Sequence, residues 1–147
     1  MQRNGFTLVE LMVVIMLLAL VAGAVVLSVG EVGGGPKEPA MRFATRVAAA
    51  RDQAILAGQP ISAWVAPSGY GFDRFRNGHW ERLSDKPFEG ADWPEGTSLA
   101  NDAAAEGRAR VRFDSLGLPD SPASFQLARN GQTVEIRIFA NGDVKVH

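Results

Sequence analysis

Glu10 carries the most telling chemistry in this chain, because an almost unbroken apolar run from Leu11 to Val29 follows it. An Asp, Lys or Arg at the centre of a membrane helix costs roughly 2.5–3.5 kcal/mol, and less near an end. Ionisable groups in such segments are functional candidates by default. The residues around it, Gly5-Phe6-Thr7-Leu8-Val9-Glu10, supply a partner. If the chain is cut between Gly5 and Phe6, the α-amino group of Phe6 becomes a cation about 6 Å along a helix from Glu10. That amine could neutralise the Glu10 of a neighbouring copy, which would make Glu10 an assembly residue.

The element that must position these groups is the helix predicted from Phe6 to Val29. At about 1.5 Å per residue it covers roughly 36 Å, enough for a hydrocarbon core near 30 Å. The leader Met1-Gln2-Arg3-Asn4 has a single Arg. That predicts a cytoplasmic N-terminus and export of the remainder. Two plainer readings compete. A cleavable signal peptide would use Phe6 to Leu20 as its apolar region and Ala22-Gly23-Ala24 as its cleavage site,. Glu10 falls inside that region, however, and Val25-Val26-Leu27 carries the apolar run past the cut. A plain single-pass anchor accounts for the span but not for Gly5-Phe6 together with Glu10.

A short basic leader, then Gly-Phe-Thr-Leu-Val-Glu, then an apolar helix resembles the class III signal of type IV pilin-like proteins. The resemblance implies that a prepilin peptidase cuts after Gly5, that the Phe6 amine is N-methylated, and that Glu10 is needed for stacking into a filament.

Composition narrows the rest. The chain has 147 residues, no cysteine and a net charge near −1. Disulfides and thiolate metal sites are excluded. Nothing in the charge balance favours a nucleic acid partner, and no Lys/Arg run appears. The organisation expected is a leader over 1–5, a membrane and assembly helix over 6–29, a neck over 30–39 and one globular domain over 40–147. Three consecutive Gly and two Pro in the neck, Gly30 to Pro39, cannot sustain a helix,. Pilin-like proteins often run one long helix into the globular domain, and major subunits commonly carry a Pro inside the apolar span. Both departures point to a minor subunit.

Ala40 to Ala57 reads as a second helix, with Pro39 in its first turn and Gly58-Gln59-Pro60 as its stop. Phe43, Ala44, Val47, Ala48 and Ile55 share its apolar face, and Arg42, Arg46 and Gln53 take the other. Beyond Gln59 the period changes to two. Asn77-Gly78, Asn130-Gly131 and Asn141-Gly142 mark turns between about seven short strands,. The fold class expected is α+β: a membrane helix, then a second helix packed on an antiparallel β-sandwich or two-sheet domain, with the helix covering one side.

Further segments extend the resemblance. Ala50-Arg51-Asp52-Gln53-Ala54-Ile55, Arg110 to Gly117, Phe125-Gln126-Leu127, Val134 to Ile138 and Gly142-Asp143-Val144 are similar to the domain of the GspH/FimT family. That family contains the H-type minor pseudopilins of type II secretion and minor pilins of type IV pili. The H-type pseudopilin is the nearer likeness. It implies an inner-membrane protein with a periplasmic domain, incorporated near the tip of a short pseudopilus that drives folded proteins across the outer membrane. The implied partners are the prepilin peptidase, the major pseudopilin, other minor pseudopilins and the exported substrate. The rival is a minor pilin of a type IV pilus, of FimT or FimU type, including members that bind DNA during uptake. Arg108, Arg110 and Arg112, alternating on one strand face, are the one basic candidate for that. Glu135 and Arg137 on a neighbouring strand are expected to pair with them instead.

No catalytic constellation is expected, and neither a cofactor nor a metal. His79 and His147 are the two histidines, and both read as exposed. Asp85, Glu89, Asp92, Glu95, Asp102 and Glu106 read as a solvated acidic loop, with weak calcium binding as the alternative, since their spacing does not follow a calcium loop. The weakly periodic segment from Ser84 to Gly107 is expected to be an exposed, mobile loop that docks a partner through Phe88 and Trp93, or else a plain spacer.

Overall fold

The structure, a computed structural model, describes residues 7–28, 34–100 and 107–147, with the backbone alone over 22–28. It divides into two units at Gly33/Gly34. The first contains helix α1 (Leu8–Ser28). The second contains helix α2 (Lys37–Ala57) and, among the described residues, nine strands. These are β1 (Ile61–Ala66), β2 (Gly69–Arg76), β3 (His79–Arg82), β4 (Ala91–Asp92), β5 (Ser98–Leu99), β6 (Ala109–Phe113), β7 (Ala123–Arg129), β8 (Gln132–Ile138) and β9 (Val144–Val146).

Helix α2 starts at Lys37 rather than Ala40, with Pro36 at its N-cap. Pro39 sits in the first turn, where a missing N–H costs nothing. The helix stops at Gly58, which adopts a left-handed conformation (φ 60°). Gly58 N–H donates to the Ile55 carbonyl at 3.3 Å and Gln59 N–H to Ala54 at 3.2 Å. This paired bond pattern is the usual glycine closure of a helix. Its buried stripe is Pro39, Ala40, Phe43, Ala44, Val47, Ala50 and Ala54. Ile55, expected in the core, is 46% exposed, because the stripe follows Ala50 and Ala54 instead.

The strands form two antiparallel sheets. One has the order β3-β2-β1-β6, with β4 also paired to β2; the other has the order β5-β7-β8-β9. Asn77-Gly78 and Asn130-Gly131 make the predicted two-residue hairpin turns, all four residues at positive φ. This backbone twist matches that of the flanking strands. At Asn141-Gly142 only the glycine has positive φ, and Phe139 and Asp143 close a three-residue loop. Strands β4 and β5 fall in the segment expected to be an unstructured loop.

Helix α2 packs on β1 of the first sheet and on β8 and β9 of the second, so it touches both sheets. Phe43 is the joint. Its ring lies 4.8 Å from Tyr70 and 6.5 Å from Phe72 on the first sheet, and 6.0 Å from Phe125 on the second. Burying such a ring contributes about 1.5–3 kcal/mol. The small residues Ala40, Ala44, Ala50 and Ala54 are also buried, which lets the helix backbone approach closely.

Two side chains fasten distant segments. Arg51 on α2 donates from Nε to the Gly117 carbonyl and from a terminal nitrogen to that of Asn141, both at 3.3 Å, and lies 3.7 Å from the Asp143 carboxylate. Three of the segments that carry the family likeness therefore meet at this one side chain. Asn130, at the tip of the β7–β8 hairpin, donates from Nδ2 to the Gly34 carbonyl at 2.6 Å.

Candidate functional site

Gly5 and Phe6 lie outside the described residues. Glu10 occupies the first turn of α1. Thr7 caps that turn: Glu10 N–H reaches the Thr7 hydroxyl at 3.3 Å and the Thr7 carbonyl at 3.0 Å, and Leu11 N–H reaches the same carbonyl at 3.2 Å. Thr7-Leu8-Val9-Glu10 thus has the form of a capping box, with an acid three residues after the cap. A carboxylate there also opposes the positive end of the helix dipole. The signal for this cap is the Thr7–Glu10 spacing in the sequence.

From Leu8 to Val21 the described side chains of α1 are exposed, Leu8 at 76% and Leu18 at 63% among them. Among the described residues of the unit this apolar surface has no partner. Among the described residues no helix is long and apolar enough to cross a membrane.

In the globular unit, the anchors expected on the 84–107 segment are turned inward. Trp93 is 8% exposed, donates from Nε1 to the Ala66 carbonyl at 3.0 Å, and packs 4.8 Å from Tyr70. Phe88 is partly buried against Phe72, with ring centroids 5.9 Å apart. Neither ring stands out as an exposed docking anchor. Burying Trp93 and part of Phe88 stabilises the domain, which is why these rings are not exposed as expected,.

The basic strand is also committed differently. Arg110 pairs with Asp73 at 3.0 Å, and Arg112 lies 4.0 Å from Asp120. Glu135 and Arg137 are on the other sheet and pair with each other at 2.7 Å, so the expected cross-strand pairing with them does not form. Ser124 donates a hydrogen bond to Glu135 and, with help from Arg137, holds its carboxyl below the usual range. Burial pushes the Tyr70 phenol up, against the opposing pull of Arg46. His79 is exposed beside Glu81, at 3.1 Å. Among the described residues, no group of three metal-ligating side chains gathers.

Residues 1–26 match the Prokaryotic N-terminal methylation motif. Residues 40–142 match the model of Type II transport protein GspH, and the chain belongs to that family. It is 35% identical to the Type II secretion system protein H of Escherichia coli (strain K12) over 72 residues, 47% of this chain and 43% of that protein. The match therefore spans less than half the length of that relative. Its fold is that of the minor pseudopilin EpsH from the type 2 secretion system of Vibrio cholerae (TM-score 0.61, 20% identity, 76% of this chain and 94% of that one). The type IV minor pilin FimU of Pseudomonas aeruginosa shares it too (TM-score 0.57, 14% identity, 76% and 87%).

Proposed function

We propose that this chain is a minor pseudopilin of a bacterial type II secretion system. One observation supports this above the others: a methylation motif over residues 1–26 and a GspH domain over 40–142 stand on a single chain. In this reading the protein inserts in the inner membrane through α1, with the globular domain in the periplasm. It is cut between Gly5 and Phe6, methylated on the Phe6 amine, and joined to other pseudopilins near the tip of the pseudopilus. Glu10 pairs with the Phe6 amine of a neighbouring subunit. The cap by Thr7 is compatible with this, because it uses the backbone N–H of Glu10 and leaves the carboxylate free to pair.

The test of processing is the intact mass of protein purified from cells that hold a prepilin peptidase. A chain starting at Phe6 with one added methyl group is expected, and Gly5→Ala should slow the cut. A product starting at Val25 would favour a signal peptide and defeat the proposal. For assembly, Glu10→Ala should insert as well as wild type or better, since a polar group leaves the bilayer. It should also lose cross-links to partner subunits; normal cross-linking and secretion would remove Glu10 from assembly. The likeness to FimU favours a second reading, a minor pilin. Deleting the gene separates the two, because the proposal expects folded exoproteins to accumulate in the periplasm while surface pili persist.

A further inference from the structure

The outer face of the five-stranded sheet holds a feature that assembly through α1 does not use. Trp64 on β1 faces away from the α2 side, yet the residue is only 5% exposed. On one side it occupies the space over Gly71, its cross-strand neighbour on β2. Two guanidinium groups approach the ring, that of Arg108 at 4.1 Å from the centroid and that of Arg82 at 5.7 Å. Asp73 accepts from Trp64 Nε1 at 3.3 Å and uses its other oxygen to neutralise Arg110. Arg82 and Arg108 have no such partner: among the described residues, no carboxylate lies within ion-pair distance of either.

With Trp64 they line a cleft of about 590 Å³, whose other walls include Ser68, Tyr70, Gly90 and Ala91, with Asp92 as its one acid among the described residues. That volume is within the range of ligand sites. A guanidinium stacked on an indole spends its flat face on the ring and keeps its N–H edge for hydrogen bonds. That edge matches the two oxygens of a carboxylate. Stacking also restrains the side chain before binding, so less freedom is lost on capture. A nucleic acid strand would need a series of cations along its phosphates, whereas here there are two without a carboxylate partner among the described residues, and an acid stands beside them.

We propose that this cleft is a carboxylate-binding site that takes an acidic peptide segment of another protein, with Arg108 and Arg82 as its ligands and Trp64 as its floor. The site does not depend on how the chain is processed or assembled, so either proposal can fail alone.

The test is a titration of the full chain in detergent micelles with acetyl-tetraglutamate amide, following the indole N–H resonances. The Trp64 signal should shift saturably. Arg108→Gln should weaken binding at least about tenfold, a loss of about 1.4 kcal/mol. Arg108→Lys, which keeps the charge but not the fork, should weaken it several-fold and serves if the Gln variant fails to fold. Arg112→Gln, outside the cleft, should change it little. The amidated peptide isolates side-chain carboxylates; a free-acid tetraglycine asks whether a chain terminus is enough. The absence of a saturable Trp64 shift with either peptide, equal losses in the Arg108 and Arg112 variants, or tighter binding of oligothymidylate than of either peptide would each overturn the proposal.

Discussion

The indole of Trp64 fills the place that a side chain at residue 71 would take: a β-carbon on Gly71 would stand 2.3 Å from the ring. This is why the glycine sits in the interior of β2, where the strand would otherwise favour a larger residue. The pairing buries a tryptophan on the sheet face turned away from the helix.

Gly71→Ala should therefore destabilise the domain by about 1–3 kcal/mol through overpacking. Propensity alone predicts the opposite sign, since alanine restricts the unfolded chain more than glycine. A urea melt followed by tryptophan fluorescence distinguishes them. A raised midpoint would show that the ring can move aside without loss.

Trp93→Ala removes a buried ring that touches Phe43 and Tyr70. Its expected cost is about 3–5 kcal/mol, that of a large core truncation. Phe88→Ala, at a half-buried position, should cost less. An unchanged urea midpoint for Trp93→Ala, with weakened binding to partner pseudopilins, would return Trp93 to the docking role read from sequence.

Arg51→Ala should cost about 1–3 kcal/mol, because two backbone carbonyls lose a charged donor. Arg51→Lys should rescue little of it, since one ammonium cannot reproduce a planar fork aimed at Gly117 and Asn141 together. The readout is the thermal midpoint, with amide spectra to show whether the 114–118 and 140–142 loops loosen. Full rescue by Lys would mean that charge alone holds them.

Acid stability should depend on Glu135. Its carboxyl in the folded protein titrates below the ordinary 4.5, through the Ser124 hydroxyl first and Arg137 after it. A depressed folded value means that the unfolded chain takes up the proton more readily. The contribution is therefore complete above the unfolded value and disappears as pH falls through the folded one. Glu135→Gln should be less stable than wild type near neutral pH, and the gap should close as the pH drops below about 4. Urea midpoints along that pH series check it; a gap that persists in acid would assign the effect to packing.

The parts of the fold that were legible in sequence are those governed by local chemistry. Positive φ at Asn77-Gly78 and Asn130-Gly131 follows from residue type, and so does the stop at Gly58. Alternation found the long strands, because one face of each is apolar. What it missed depends on tertiary context. Strands β4 and β5 have two residues each and pair only because neighbouring strands offer an edge. Alternation of Ile61, Ala63 and Val65 marks β1, but period two does not report that Ser62 and Trp64 on its other face are buried too. Helix spacing put Ile55 in the core, whereas contact with both sheets shifted the stripe. At the N-terminus, the motif and the acid were plain, but the cap on Glu10 N–H required reading Thr7 with them.

The bond from Asn130 to the Gly34 carbonyl has a mechanical meaning. Any tension transmitted along the chain from α1 enters the globular unit at Gly34, the residue that this side chain holds. Part of the load therefore passes directly into β7 and β8, two strands joined by seven registered residue pairs from Ala123–Ile138 to Arg129–Gln132. The rest passes to the first turn of α2. Since one hydrogen bond contributes only about 0.5–1.5 kcal/mol net, the brace should yield before the sheet does.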